Sequence, residues 1–374
     1  MYKIALTGGP GSGKSTCLSK LERSLSERGY KVFIVPETAT ELIPNGIYPS
    51  DVLPLLDFQR IVLEKQIHKE KIYDEIANFW PSEDVIILYD RTVLDGMVFV
   101  KEDEFKNLLK NQNLTLLSAL ERYDMVIHLI TAAEEAPEFY LWNNPESEEE
   151  GNNAARSEPP ELAIERDHKS RKIFVKHPHF RIINSSKSFD DKVNKLIEEV
   201  HNFIGAPVPS EIERKFLIKK PSEKQLKELK YSSHTNIIQT YLKAENKTER
   251  RIRQRGNNKD GFTFYYTEKT DIAPGERLEV ERRISEKEYI NYLSEADINL
   301  HQIAKTRYCF LHKKKFFELD IYPFSDEYAI LEIELKNIKD EFSMPSFVEV
   351  IKEVTDDENF KNINLAKTLS FHTN

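Results

Sequence analysis

The hydrophobic period of this chain changes at "GAPVPS", residues 205 to 210. Before that stretch, short apolar runs alternate with helical patterns; after it, polar and apolar residues alternate at every second position. A period of two suits a strand and a longer one a helix, so the two sides require separate cores. The prolines cannot continue the helix read over 190–203, which makes 205–210 a linker between a domain at 1–204 and another at 211–374. At 374 residues the chain exceeds one ordinary core, and a hydrophobic content of 39% supplies two.

Lys and Arg total 54 against 63 Asp and Glu, giving net charge -9 and a pI of about 5.7. That balance excludes nonspecific binding to DNA or to an anionic membrane as the main activity. Cys17 and Cys309 stand far apart without a CxxC, so neither a disulfide framework nor a zinc site is expected. No apolar run reaches membrane-spanning length and the first residues turn directly into a strand, which leads us to expect a soluble, cytoplasmic protein.

In the first half, strands are expected near 3–7, 32–36, 84–90, 125–130 and 181–183, with helical stretches between them. Short apolar strands separated by helices make an α/β unit with a parallel sheet covered on both faces. Residues 133–166 break the pattern with a polar, acidic, proline-containing segment, expected to be an insertion or a lid. The strand at 3–7 leads into "GGPGSGKS", residues 8 to 15, and then a helix. This fits the P-loop pattern: backbone amides around Gly8, Gly11, Ser12 and Gly13 surround phosphates, Lys14 reaches the outer ones, and the Ser15 hydroxyl can ligate Mg2+, with Thr16 beside it. "DVIILYDR" (84–91) is an apolar strand ending in Asp90, suited to hold Mg2+ directly or through water. "VPETA" puts Glu37 at the same carboxyl edge of the sheet, where ligands bind in such folds.

In the second half, runs near 210–218, 237–242, 250–255, 262–269, 277–283, 304–311, 315–322 and 330–336 alternate with period two. Their charges fall on one side: Glu211, Glu213 and Lys215; Arg251, Arg253 and Arg255; Arg277, Glu279 and Glu281; Lys305 and Arg307; Glu318 and Asp320; Glu332 and Glu334. A single such strand is an amphipathic edge facing water, but six together point to an antiparallel barrel with its charged faces inward. Acids and bases mixed in one lumen suit metal ions carried by a polyanion: carboxylates hold Mg2+ or Mn2+ while Arg and Lys hold phosphate oxygens.

The P-loop, the "PE" after the second strand and the "DR" after the third together resemble the nucleoside-kinase-like branch of P-loop kinases, including AAA-type ATPase domains, over residues 1–204. The resemblance implies that Glu37 binds a substrate hydroxyl or acts as base, that Arg91 contacts phosphate or substrate, and that Arg156 is a lid arginine. It also sets Asp95 and Tyr140 beside the acceptor. In the second half "EIERK", "QTYL", "RIRQR", "TEK", "RLEVER", "KTR", "ELD" and "LEIEL", in that order, resemble the CYTH superfamily of triphosphate tunnel metalloenzymes. An eight-stranded tunnel that hydrolyses or cyclises a triphosphate end with a divalent metal is implied. By position, Glu211, Glu213, Glu332 and Glu334 become metal carboxylates with Asp320 and Glu281 as helpers. Lys215, Arg251, Arg253, Lys269, Arg277, Lys305 and Arg307 become phosphate ligands. The family often has glycine where Thr240 stands, and its side chain is expected to face outward.

The expected activity is therefore a triphosphatase, with water attacking the terminal phosphorus of tripolyphosphate or an organic triphosphate. Cyclisation of ATP in the tunnel is the sister reading. The first domain is expected to bind ATP, either to phosphorylate a small hydroxyl acceptor or to act as a nucleotide switch for the tunnel. Capture of an RNA 5′-triphosphate end stays open.

Overall fold

The computed structural model describes the chain apart from residues 82–83, 141–157, 185–187, 205–211, 230–231, 245–247, 274–275, 314, 336–340 and 372–374, and apart from the side chains of 212, 270–273, 276–279 and 334. Two compact units, Met1–Gly205 and Ala206–Asn374, divide it.

The first unit runs β1 (Tyr2–Thr7), α1 (Lys14–Glu27), β2 (Lys31–Val35), α2 (Thr38–Leu42), α3 (Leu55–Asn78), β3 (Val85–Asp90), α4 (Glu102–Asn111), α5 (Leu116–Leu120), β4 (Met125–Leu129), α6 (Ala132–Glu135), α7 (Pro160–Phe174), β5 (Phe180–Ile183) and α8 (Phe189–Ile204). Its strands pair in parallel in the order β2-β3-β1-β4-β5. β1 is central, and the loop after it emerges between the carboxyl ends of β3 and β4, the crevice where such sheets bind ligands. α1 buries Cys17, Leu18, Leu21 and Leu25, one apolar stripe at helical spacing, against Val193, Leu196 and Val200 of α8 and the strands beneath. Part of the helical stretch expected between the third and fourth strands is two helices, α4 and α5, separated near Asn113, whose φ of 56° is left-handed. The segment read as an insertion, 133–166, begins in α6 and ends inside α7.

The second unit runs β6 (Ile212–Lys219), α9 (Glu223–Lys227), β7 (Ser232–Leu242), β8 (Thr248–Asn257), β9 (Gly261–Ala273), β10 (Glu276–Ile284), α10 (Glu286–Leu293), β11 (Ile303–His312), β12 (Lys315–Ile321), β13 (Tyr328–Leu335), β14 (Val350–Glu353) and α11 (Asn362–Thr368). The eight expected strands form one antiparallel sheet, ordered β10-β9-β8-β7-β11-β12-β13-β6-β14. β14, a ninth strand, was not expected. Among the described residues no ladder joins β10 to β6 or β14, so the closure of a barrel is not seen as strand pairing.

The register settles which residues share a face. Glu213 and Lys215 of β6 stand opposite Glu334 and Glu332 of β13, and Glu332 opposite Glu318 of β12. Asp320 stands opposite Arg307 of β11, Gln239 of β7 opposite Arg253 of β8, and Arg251 opposite Thr267 of β9. Thr267 faces Glu281 of β10. Paired residues in an antiparallel ladder point the same way, so the charges lie on one continuous face. The alternate positions Phe216, Ile218, Phe310, Phe317, Leu319, Leu331 and Ile333 form an apolar cluster on the other face. Yet the charged face is buried too: Lys305 is 5% exposed, Asp320 0% and Glu332 6%. A sheet buried on both faces without a second sheet over it must curl around its charged side.

Candidate functional site

In the first unit the loop after β1 is bent by glycines in the left-handed region. Gly11 and Gly13 have φ of 71° and 81°, and Gly13 caps α1, whose free N–H groups open toward the loop. Lys14 is buried and its Nζ donates to Gly8 O at 3.1 Å. Burial first, then Arg91, pulls its ammonium down to about 8 against Glu37, Asp90 and Asp95. Ser15 and Thr16 are exposed just behind it, and Ser12 is buried within the loop. Asp90 Oδ1 is buried with no hydrogen-bond partner, and burial raises the carboxyl above its ordinary value. An orphaned carboxylate oxygen beside Lys14 and an exposed Ser15 hydroxyl is a donor set that fits Mg2+.

Arg91 follows β3 in the left-handed region, φ 74°. That posture turns its guanidinium onto Glu37, onto Asp95 Oδ1 at 3.1 Å and onto Gly8 O at 3.3 Å. Glu37 is thereby held down at about 2: burial works the other way, and Arg91 and Lys14 overcome it. Asp95 accepts Thr7 Oγ1 at 2.7 Å, Thr92 N at 2.8 Å and Thr92 Oγ1 at 2.7 Å. It braces Arg91 and does not face an open space. Tyr140 is buried against Ala133 and Ala163, its hydroxyl donating to Glu158 O at 3.2 Å. Arg156 lies outside the described residues.

In the second unit one ion-pair network gathers five of the expected ligands, Lys215, Lys305, Arg307, Asp320 and Glu332. Lys215 Nζ lies 2.8 Å from Glu332 Oε1, and Arg307 Nη2 lies 2.9 Å from Glu332 Oε2. Arg307 Nε also donates to Asp320 Oδ1 at 2.7 Å, and its Nη1 to Glu318. Lys305 donates to Asp320, and burial lowers its ammonium, with Arg307 adding to the effect. Burial works against Asp320 and Glu332, yet the surrounding cations hold both below the usual carboxylate range. Glu213 behaves oppositely: the adjacent Glu332 carboxylate first, then burial of its carboxyl, lifts it to about 8, although the residue as a whole is exposed.

Further along the face, Arg253 and Thr267 both donate to Glu281, the latter at 2.8 Å, while Arg253 Nε is buried without an acceptor. Arg251 and Lys269 are half-buried on the same face, Arg251 3.8 Å from Glu249. Glu211 and the side chains of Arg277 and Glu334 lie outside the described residues. Among the described residues no group of three or more His, Cys, Asp or Glu gathers as a metal cage. The Glu213–Glu332 pair nevertheless fits a divalent cation, since the repulsion by which Glu332 raises Glu213 would be relieved by positive charge between them. Thr240 faces away from the charges, as expected, and is buried there, accepting Gln302 Nε2 at 3.0 Å.

Sequence reasoning missed Gln239 and Thr267, neutral residues buried on the charged face, and Asp167, which touches the P-loop from α7. The neutral pair was detectable by extending the period-two register to uncharged positions. Asp167 had no motif to mark it.

An AAA domain model matches residues 3–192, and a CYTH domain model matches residues 209–359. No relative is found among curated proteins. Two solved structures of NE1496, one described as a hypothetical protein and one as an inorganic triphosphatase, are 26% and 25% identical to this chain. They cover 42% of it and 99% and 95% of their own chains, each at a TM-score of 0.31. PH1012 protein from Pyrococcus horikoshii OT3 is 16% identical, covering 34% of this chain and 80% of its own at a TM-score of 0.25. No described helix is long and apolar enough to cross a membrane. The chain thus belongs to the AAA domain family through its first unit and carries a CYTH domain in its second.

Proposed function

We propose that the CYTH unit is a divalent-metal-dependent triphosphatase that cleaves the terminal phosphate of tripolyphosphate or of an organic triphosphate. The observation that carries this is the single face, buried at Lys305, Asp320 and Glu332, on which Lys215, Lys305, Arg307, Arg251 and Arg253 alternate with Glu213, Asp320 and Glu332. Buried cations already fixed by carboxylates are preorganised donors for phosphate oxygens. Arg253 Nε, buried without an acceptor, is a donor that an anionic oxygen would satisfy. Lys215, Lys305 and Arg307 would hold the outer phosphates, with Arg251, Arg253, Lys269 and Arg277 along the remainder. Glu213 and Glu332, with Glu211 and Glu334, would hold Mg2+ or Mn2+, and Asp320 and Glu281 orient the arginines. A bound cation would neutralise phosphate charge and make water more acidic.

The AAA unit would bind ATP, with Gly8 to Thr16 around the phosphates and Asp90 and Ser15 toward Mg2+. The opposite shifts of Asp90 and Glu37 separate their roles. Glu37, ion-paired and strongly acidic, would serve to aim Arg91 at the acceptor side and not to take a proton. A small hydroxyl compound is the proposed phosphoryl acceptor.

The test is a screen of the purified full-length protein against tripolyphosphate, thiamine triphosphate and ATP with Mg2+ and with Mn2+, measuring orthophosphate and cyclic nucleotide separately. Metal-dependent orthophosphate release is expected. Cyclic AMP as the main product, or no phosphate released from any triphosphate, overturns the triphosphatase.

A further inference from the structure

Ser170, His128 and Asp167 stand in a row inside the first unit. Ser170 Oγ is 3.4 Å from His128 Nδ1, and His128 Nε2 is 3.1 Å from Asp167 Oδ2. The order is that of a nucleophile, a base and an acid, but His128 and Asp167 are 0% exposed and Ser170 3%, so no substrate reaches it. The hydrogen bonds of Asp167 and Ser170 lead to the loop after β1.

Asp167 Oδ1 accepts the backbone N–H of Gly9 at 3.0 Å and of Thr131 at 3.1 Å, while Oδ2 accepts Arg171 Nε at 2.8 Å. The Thr131 hydroxyl donates to Pro10 O, and Ala132 N donates to Gly11 O at 3.4 Å. Three consecutive residues of the loop, Gly9, Pro10 and Gly11, are therefore gripped through their backbone by Asp167, Thr131 and Ala132. The grip is close: a Cβ on Gly9 would lie 2.9 Å from Asp167 Oδ1 and 3.0 Å from its Cβ. Three residues after Asp167 and on the same side of α7, Ser170 Oγ meets Thr7 Oγ1 at 3.2 Å. Thr7 donates to Asp95 at 2.7 Å, and Asp95 accepts Arg91 at 3.1 Å.

We propose that Asp167 is a positioning residue for the nucleotide phosphates, acting through the backbone of Gly9. Resting on the ATP reading of this loop, it names what fixes the loop before ligand arrives. A glycine-rich segment has many conformations, and binding must select the one whose N–H groups converge. A buried carboxylate on the Gly9 amide selects it in advance. Removing that acceptor leaves two buried donors, Gly9 N and Thr131 N, without a partner, and they can regain one only if the loop moves.

Three variants of the full chain test this by calorimetric titration with Mg2+ and ATP, each with its melting temperature. Asp167→Ala is expected to weaken ATP binding by about tenfold or more. Asp167→Glu keeps the charge for Arg171 but pushes a methylene into the Gly9 contact, and a comparable loss is expected with the melting temperature near wild type. Asp167→Asn combined with Arg171→Gln keeps an acceptor for Gly9 N and Thr131 N while removing the Asp167–Arg171 ion pair together with Arg171's contact to Glu134, which does not touch the loop, so binding should recover to within about threefold of wild type. If Asp167→Ala does not fold, Asp167→Glu decides. ATP affinity of Asp167→Glu within twofold of wild type, or failure of the Asn and Gln pair to recover binding in a folded protein, overturns the proposal. A wild-type chain that binds ATP no better than Lys14→Ala fails the nucleotide reading itself, and the positioning role goes with it.

Discussion

Glu213 and Glu332 are adjacent carboxylates with opposite surroundings, and the two should fail differently when mutated. Glu332 compensates Lys215 and Arg307, so Glu332→Gln leaves two largely buried cations short of charge and should cost about 3 kcal/mol in denaturant unfolding. Glu213→Gln removes the member raised by repulsion, so the metal-free protein should be no less stable than wild type while triphosphate hydrolysis falls about a hundredfold or more. Equal stability losses would mean that Glu332 is not the centre of the network. Glu37 gives a pH-dependent counterpart. Its folded carboxyl sits at about 2, below the ordinary 4.5; a depressed carboxylate contributes stability above its unfolded pKa and loses it as pH falls through the folded one. Glu37→Gln should therefore be less stable than wild type at pH 7 by about 1–2 kcal/mol, and the gap should shrink below about pH 4.5 toward pH 2. A gap unchanged by acid would count against the Arg91 pairing.

At the scale of elements, α11 sets one end of the charged face. Its Leu365 and Ala366, with Val354 and Phe360, pack on Leu217, Tyr241, Ile303, Tyr322 and Ile330, the apolar residues that continue the inner positions of five strands. Leu365 is fully buried, so Leu365→Ala should cost about 2–5 kcal/mol in unfolding of this unit, read by denaturant titration. A cost below about 1 kcal/mol would mean that α11 is not part of this core. The strands bearing these positions were legible in the sequence because alternation is itself the mark of a strand with two unlike faces. Lys305 and Arg307, or Glu318 and Asp320, state their face directly. β14 was illegible: in Val350–Glu353 both Val350 and Ile351 are exposed, so no side of the strand advertises burial. α7 was partly hidden for another reason. Its first residues follow an acidic, proline-containing stretch, and Asp167 reads there as one more surface acid beside Glu161 and Glu165, whereas packing makes it 0% exposed. The bent loop after β1 was legible because glycine spacing encodes left-handed backbone, found at Gly11 and Gly13. The ion pair of Arg91 with Glu37 was not, since it joins residues 54 positions apart through a left-handed arginine.

For the whole molecule the question is whether two units with separate cores also work separately. Each has its own hydrophobic clusters: Leu6, Leu21, Ile127 and Leu196 belong to the first, and Phe216, Phe317 and Leu331 to the second. A unit with a complete core and all its site residues on its own sheet is expected to fold and act alone. A chain beginning at Ala206 should thus retain metal-dependent tripolyphosphate hydrolysis within about threefold of the full chain. In the full chain Lys14→Ala removes the buried ammonium that faces Gly8 O and should abolish ATP binding while leaving tripolyphosphate hydrolysis largely intact. The decisive comparison adds ATP to both proteins. If ATP changes tripolyphosphate turnover in the wild type and not in Lys14→Ala, the two sites share a coupling free energy, and the AAA unit is a nucleotide-controlled regulator of the tunnel. If ATP changes neither, the units are two independent phosphate-handling enzymes on one chain, which is the outcome we expect from their separate cores.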